Sequence, residues 1–192
     1  INLLINNAGT FGPHKTPKDN AKDIRALQTA LKSSWDEFMS PFNVNVTSVY
    51  FTIVAFLELL DNGNKQGIPG VSSQVITISS MAGFRKDSEL TGIAYSTSKA
   101  AATHLGKILG NYLRDYRIRS NIISHGIYPK ILENYRKQQQ QQGLGDQPAV
   151  PTPMGRIQAG LILFLATRAG TYINGDVTIS DGGRLGLYSY TF

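Results

Sequence analysis

The sequence contains no cysteine. That excludes disulfides, thiolate metal sites and cysteine nucleophiles, and it fits a reducing, cytoplasmic setting. No uninterrupted apolar run reaches the roughly 18 residues that a membrane span requires, so a soluble protein with no membrane partner is expected. Lys and Arg outnumber Asp and Glu by 19 to 13, giving a net charge of +6, yet no four basic residues are consecutive. A solvated basic surface is the reading, and no nucleic-acid partner is expected. His14 and His104 lack partners at metal-ligand spacing, so no metal is expected. A charged leader followed by an apolar stretch is also missing, and no secretory signal is expected. The first residues, Ile1 to Ile5, read as the middle of an apolar strand, which leads to the expectation of further residues upstream.

What is present is a globular composition, with 41% hydrophobic and 17% charged residues over 192 positions, enough for one domain with a core. Four short apolar segments, Leu3–Asn6, Val75–Ser79, Ile118–Ser124 and Val177–Ser180, lack strict alternation, as strands covered on both faces do. Three helical patterns separate them. The first runs from about Trp35 to Leu60, with Ser33 or Ser34 as N-cap, Asn62-Gly63 as stop, and a kink or later start expected at Pro41. The second runs from about Tyr95 to Tyr116, and the third from about Arg156 to Arg168. This alternation predicts an α/β fold, a partial doubly wound parallel sheet of Rossmann type. The stretch from Ile127 to Pro153, with glutamines at 138–142 followed by Gly and Pro, breaks the alternation and is expected to be a mobile lid. A single partial domain over residues 1–192 is therefore expected.

The chemistry is concentrated in Tyr95-Ser96-Thr97-Ser98-Lys99. Residues i and i+4 share a helix face, so the Lys99 ammonium stands near the Tyr95 phenol and is expected to lower its pKa toward working pH. Val75 to Ser80 reads as a strand ending in two hydroxyls, at the carboxyl end where open parallel sheets bind ligands. One loop returns the chain from Ser80 to Tyr95. A hydroxyl and a phenol facing one substrate oxygen would supply two donors to a developing oxyanion.

With these features in order, the sequence resembles the short-chain dehydrogenase/reductase family. Asn6-Asn7-Ala8-Gly9 matches the family's motif after its strand, Asn43-Val44-Asn45-Val46 its asparagine segment, and Ser80, Tyr95 and Lys99 its Ser and Tyr-x-x-x-Lys positions. Residues 118–123, 174–176 and 181–183 resemble its later strands and turns. The resemblance implies hydride transfer between NADP(H) or NAD(H), NADP favoured, and a ketone or secondary alcohol. Tyr95 would be the acid/base, Lys99 would hold the nicotinamide ribose, and Ser80 would position the substrate oxygen. Asn45 would hold a water linking Lys99 to solvent. Asn7, Ala8, Gly9 and Gly126 would line the cofactor groove. It also implies a homodimer or homotetramer built on the two long helices.

The sequence departs from the family pattern in three places. The first strands, the Gly-rich loop and the residue selecting NAD or NADP are missing. His125 stands where the family has Pro, and Lys130 where it often has Thr. Residues 127–129 resemble a turn of fungal members. The missing loop leads to the expectation that this chain alone folds poorly or binds cofactor weakly, with Ile1–Asn6 as an apolar edge. It also keeps open an alternative: a catalytically silent chain acting as an interaction or dimerisation module, or a fragmentary gene product.

Overall fold

The computed structural model describes residues 1–13, 21–67, 69–87, 91–126 and 157–191, with only the backbone at 157 and 158. Its centre is a four-stranded parallel sheet of order β1-β2-β3-β4, formed by β1 (Leu3–Asn6), β2 (Gln74–Ser80), β3 (Arg119–His125) and β4 (Val177–Ser180). Helices α1 (Ile24–Leu31), α2 (Trp35–Phe42), α3 (Ser48–Gln66) and α4 (Ile93–Tyr112) precede β3, and α5 (Ile157–Ala166) follows it. The expected lid lies outside the described residues.

Every residue of β2 is buried, because both sheet faces are covered. On one face Val75 packs with Val49, Ile53 and Leu60 of α3 and with Leu109 of α4. On the other, Ile76, Ile78 and Ile123 pack with Leu165 of α5. Each such fully buried aliphatic side chain contributes about 1.5–3 kcal/mol. Gly106 lets α4 lie directly on the sheet, since a Cβ there would stand 2.4 Å from Ile122 Cγ1. Arg119 is buried and joins elements across the α5 face: Nη1 donates to Gly170 O at 2.8 Å and Nε to Ser72 Oγ at 2.9 Å.

The structure corrects the expected first helix in two respects. It starts at Trp35, with Ser34 and Glu37 forming a reciprocal capping box and Pro41 inside its last turn, so the later start is not seen. A π-helical turn, Asn43–Thr47, follows, and the helix continues to Gln66. Gly63 is therefore no stop. It lies in mid-helix where the chain crosses Ile1, and a Cβ there would sit 1.9 Å from Ile1 O. The continuous helix Trp35–Gln66 has an 18-residue window of mean hydropathy 1.5, so by length and composition alone it could span a membrane. Much of its apolar surface, including Phe51 and Val54, is exposed. Helix α4 begins at Ile93, two residues before Tyr95, and ends at Tyr112, with a 3₁₀ turn at Arg114–Tyr116. The amphipathic helix α1, capped by Asp23 Oδ1 accepting from Ala26 N, was not expected. Strand β1 forms one edge of the described sheet with Ile5 exposed, as anticipated.

Candidate active site

Ser80 is the last residue of β2, at the carboxyl rim of the sheet. Its Oγ accepts from Ala82 N at 3.2 Å and so caps the 3₁₀ turn Met81–Gly83. The chain re-enters at Gly92, whose φ of +77° suits glycine, and turns directly into α4. That entry places Tyr95 in the first helical turn, its phenol beside Ser80 and its ring stacked on Phe11, centroids 4.6 Å apart. Tyr95 is 5% exposed and Lys99 4%.

One turn along, Lys99 Nζ donates to Ile78 O at 2.9 Å and lies 5.8 Å from the Tyr95 ring centroid. Burial strips water from both groups and favours their neutral forms. It pulls Lys99 down to about 8. The Tyr95 phenol is held above its ordinary value by burial, opposed by the Ser80 hydrogen bond. The expected lowering of the Tyr95 pKa by Lys99 is thus corrected: burial has the larger effect and raises it.

Asn45 is carried by the π turn and is fully buried. Its Nδ2 donates to Thr10 O at 3.0 Å and to Ser98 Oγ at 2.9 Å, while Oδ1 accepts from Thr10 N at 3.0 Å. Ser98 Oγ in turn donates to Tyr95 O at 2.8 Å. Both N–H groups of the Asn45 carboxamide are therefore engaged by protein, and the side chain ties the segment after β1 to α4.

Gly9 completes the arrangement. A Cβ there would stand 3.2 Å from Asn45 Oδ1 and 3.4 Å from Lys99 Nζ, so a side chain would crowd the Asn45 carboxamide and lie against the ammonium. Asn7 and Ala8 lie exposed on the same rim. Gly126 closes the end of β3, its N donating to Ser180 O at 3.0 Å and its Cα pressed against Asp181. His125 is the register neighbour of Ser80. Its Nδ1 lies 2.6 Å from Gly126 O, and since a carbonyl only accepts, Nδ1 carries the proton. Burial pushes His125 below its usual pKa, helped by nearby Lys99 and opposed by the bond to Gly126.

The structure therefore gathers Asn45, Ser80, Tyr95, Lys99 and Gly9 around one buried phenol and ammonium, with Asn7, Ala8 and Gly126 on the same sheet edge. Sequence reasoning missed Thr10, Phe11 and Ser98. Ser98 was readable in hindsight, being the residue before Lys99 on a helix face that meets Asn45. Among the described residues, no cluster of three His, Asp or Glu could hold a metal.

The family model described as enoyl-(acyl carrier protein) reductase matches residues 1–184. The chain is 36% identical over 208 residues to short-chain dehydrogenase/reductase SAT3 of Stachybotrys chartarum, covering 97% of this chain and 76% of that protein. It is 39% identical to short-chain dehydrogenase/reductase PhomF of Diaporthe leptostromiformis, covering 97% of this chain and 66% of the relative. Among solved structures, the Pseudomonas aeruginosa RhlG/NADP active-site complex superposes with a TM-score of 0.73 at 26% identity, over 96% of this chain and 66% of that one. The chain thus spans about two-thirds to three-quarters of the length of these relatives.

Proposed function

The chain belongs to the short-chain dehydrogenase/reductase family, and from that premise we propose that the whole protein is a nicotinamide-dependent oxidoreductase reducing a ketone to a secondary alcohol. The observation that carries the proposal is the buried Tyr95 phenol beside Ser80, with the Lys99 ammonium one helical turn away and 5.8 Å from the Tyr95 ring centroid.

The residues present fit the nicotinamide end of the cofactor. Gly9 leaves open the space above Lys99, and Lys99 uses one N–H on Ile78 O, which leaves two for ribose hydroxyls. Asn7, Ala8 and Gly126 line the same edge. When bound, the cofactor supplies the hydride. Ser80 and Tyr95 together donate two hydrogen bonds to the carbonyl oxygen as negative charge develops there. Tyr95 passes its proton to that oxygen, and the adjacent ammonium stabilises the phenolate left behind. Asn45 holds Thr10 and Ser98, and through them the mouth of the groove and the start of α4. NADP(H) is the preferred cofactor in this reading, supported by the likeness to the RhlG/NADP complex.

The test is a panel of ketones with NADPH and NADH on the full-length protein, wild type against Tyr95→Phe. Removing the general acid is expected to lower turnover by about 10²–10⁴-fold with cofactor affinity retained. Turnover by Tyr95→Phe at the wild-type rate would remove Tyr95 from the mechanism.

A homodimer or homotetramer is the expected assembly, supported by apolar side chains left in water on both long helices: Phe51 and Val54 on α3, Ile108 and Tyr112 on α4. Phe51→Glu is expected to shift the full-length protein toward monomer in sedimentation. An unchanged sedimentation coefficient would place the interface elsewhere.

A further inference from the structure

The turn that follows Ser80 is held from two sides. On one side it lies on α4: a Cβ added to Gly83 would stand 2.8 Å from Ala100 N and 2.9 Å from the carbonyl carbon of Lys99. The turn therefore touches the helix at the residue that carries the ammonium. On the other side runs the C-terminal tail. Thr191 N donates to Phe84 O and Lys86 N to Ser189 O, both at 2.8 Å, and Arg85 and Tyr190 form an antiparallel bridge between them. Leu185 packs with Met81 and Phe84, with Tyr188 against the same cluster.

Tyr188 joins these contacts. The Arg85 guanidinium lies 3.7 Å above its ring, a cation on an aromatic face. Arg85 Nε is fixed in turn by Asp87 Oδ1 at 2.6 Å. At the other end of the ring, Arg184 Nη2 donates to the Tyr188 hydroxyl at 3.4 Å. A serine that caps a short turn is placed by that turn's backbone, so whatever fixes the turn against α4 fixes the hydroxyl against Tyr95.

We propose that Tyr188 is a positioning residue for Ser80: its ring, seated beneath Arg85 and against the Met81–Phe84 cluster, sets how the segment after Ser80 lies on α4. The proposal rests on the roles given above to Ser80 and Tyr95. It makes the C-terminal tail part of the apparatus that aims the substrate oxygen. Displacing a reacting group by about 1 Å can cost 10²-fold in rate, which gives the tail its leverage.

The experiment is a cycle of variants in the full-length protein. Tyr188→Ala is expected to lower kcat by about 10- to 100-fold, and in a Ser80→Ala background by less than about threefold, because the hydroxyl it positions is already gone. Tyr188→Phe, which keeps the ring, is expected to stay near wild type. Equal losses in both backgrounds, or a Tyr188→Phe enzyme as slow as Tyr188→Ala, overturns the proposal. If the alanine variant does not fold, Tyr188→Leu gives the same comparison, since it keeps apolar contact and loses the face for Arg85. A second measurement needs no substrate: the phenolate absorbance of Tyr95, titrated as the difference between each protein and its Tyr95→Phe counterpart. Tyr188→Ala is expected to move that ionisation upward as Ser80→Ala does, and an unmoved ionisation also overturns the proposal. A wild type that transfers no hydride would defeat the enzyme reading, while this titration would still decide the role of Tyr188.

Discussion

The carboxamide nitrogen of Asn45 stands 2.9 Å from the hydroxyl of Ser98, joining the long helix to the helix that carries Tyr95 and Lys99. The same hydroxyl donates to the Tyr95 carbonyl, so the bridge ends one residue's backbone from the phenol. Ser98→Ala removes a buried partner and leaves one carboxamide N–H unsatisfied. The expected cost is about 1–3 kcal/mol of unfolding free energy, read from urea denaturation, with a fall in turnover beyond it. A variant as stable and as fast as wild type would show that the bridge holds nothing.

Lys99 sets a pH signature of stability. The folded protein holds this ammonium at a pKa of about 8, while the unfolded chain keeps the ordinary 10.5. Between those values the unfolded state carries a proton that the folded state has released, so stability rises with pH. The slope from this one group reaches at most about 1.4 kcal/mol per pH unit. Tyr95 acts in the opposite sense and at higher pH: its raised pKa means that the folded state keeps a proton the unfolded state loses above 10, so stability falls there. The clean window is therefore pH 8 to 10. The stability difference between wild type and Lys99→Met is expected to move in favour of wild type across that window. A difference that stays flat would mean that the ammonium is better solvated than its burial implies.

Gly63 tests the packing of β1. With Ile1 O where its Cβ would be, Gly63→Ala forces either α3 or the first strand to move. Overpacking of this kind costs about 1–3 kcal/mol, more where the clash is with backbone. Calorimetry should show a lower melting temperature. A variant melting with the wild type would mean that the N-terminal segment yields freely.

Much of this architecture could be read in the chain. Leu3–Asn6 and Val177–Ser180 are strands at the expected residues, because β-branched and Leu-rich runs bounded by polar turns have few alternatives. Tyr95 and Lys99 follow from helical periodicity, and Ser80 from its place at a strand end. What could not be read depends on contacts remote in sequence. Gly63 reads as a stop until Ile1 is seen to need its missing side chain. The π turn at Asn43–Thr47 has no signal of its own inside an apolar helical pattern. The effect of burial on Tyr95 depends on how much protein surrounds the phenol, which spacing does not report. The pairing of residues 84–86 with 189–191 joins two stretches without periodicity, and only the fold brings them together.

The π turn has a further consequence, for chain length. Ser48 N donates five residues back, to Asn43 O, so this turn winds one residue more than its neighbours. Phe38 and Phe42 stack together before it, and Val49, Ile53 and Leu60 meet the sheet after it. Removing one residue here would restore regular winding and leave the helix downstream at nearly the same azimuth, so those three side chains would still face the sheet, while Asn45 inside the turn would lose its place. A one-residue deletion within Asn43–Thr47 should therefore spare the packing of Val49, Ile53 and Leu60 and instead cost the bonds that Asn45 makes to Thr10 and Ser98.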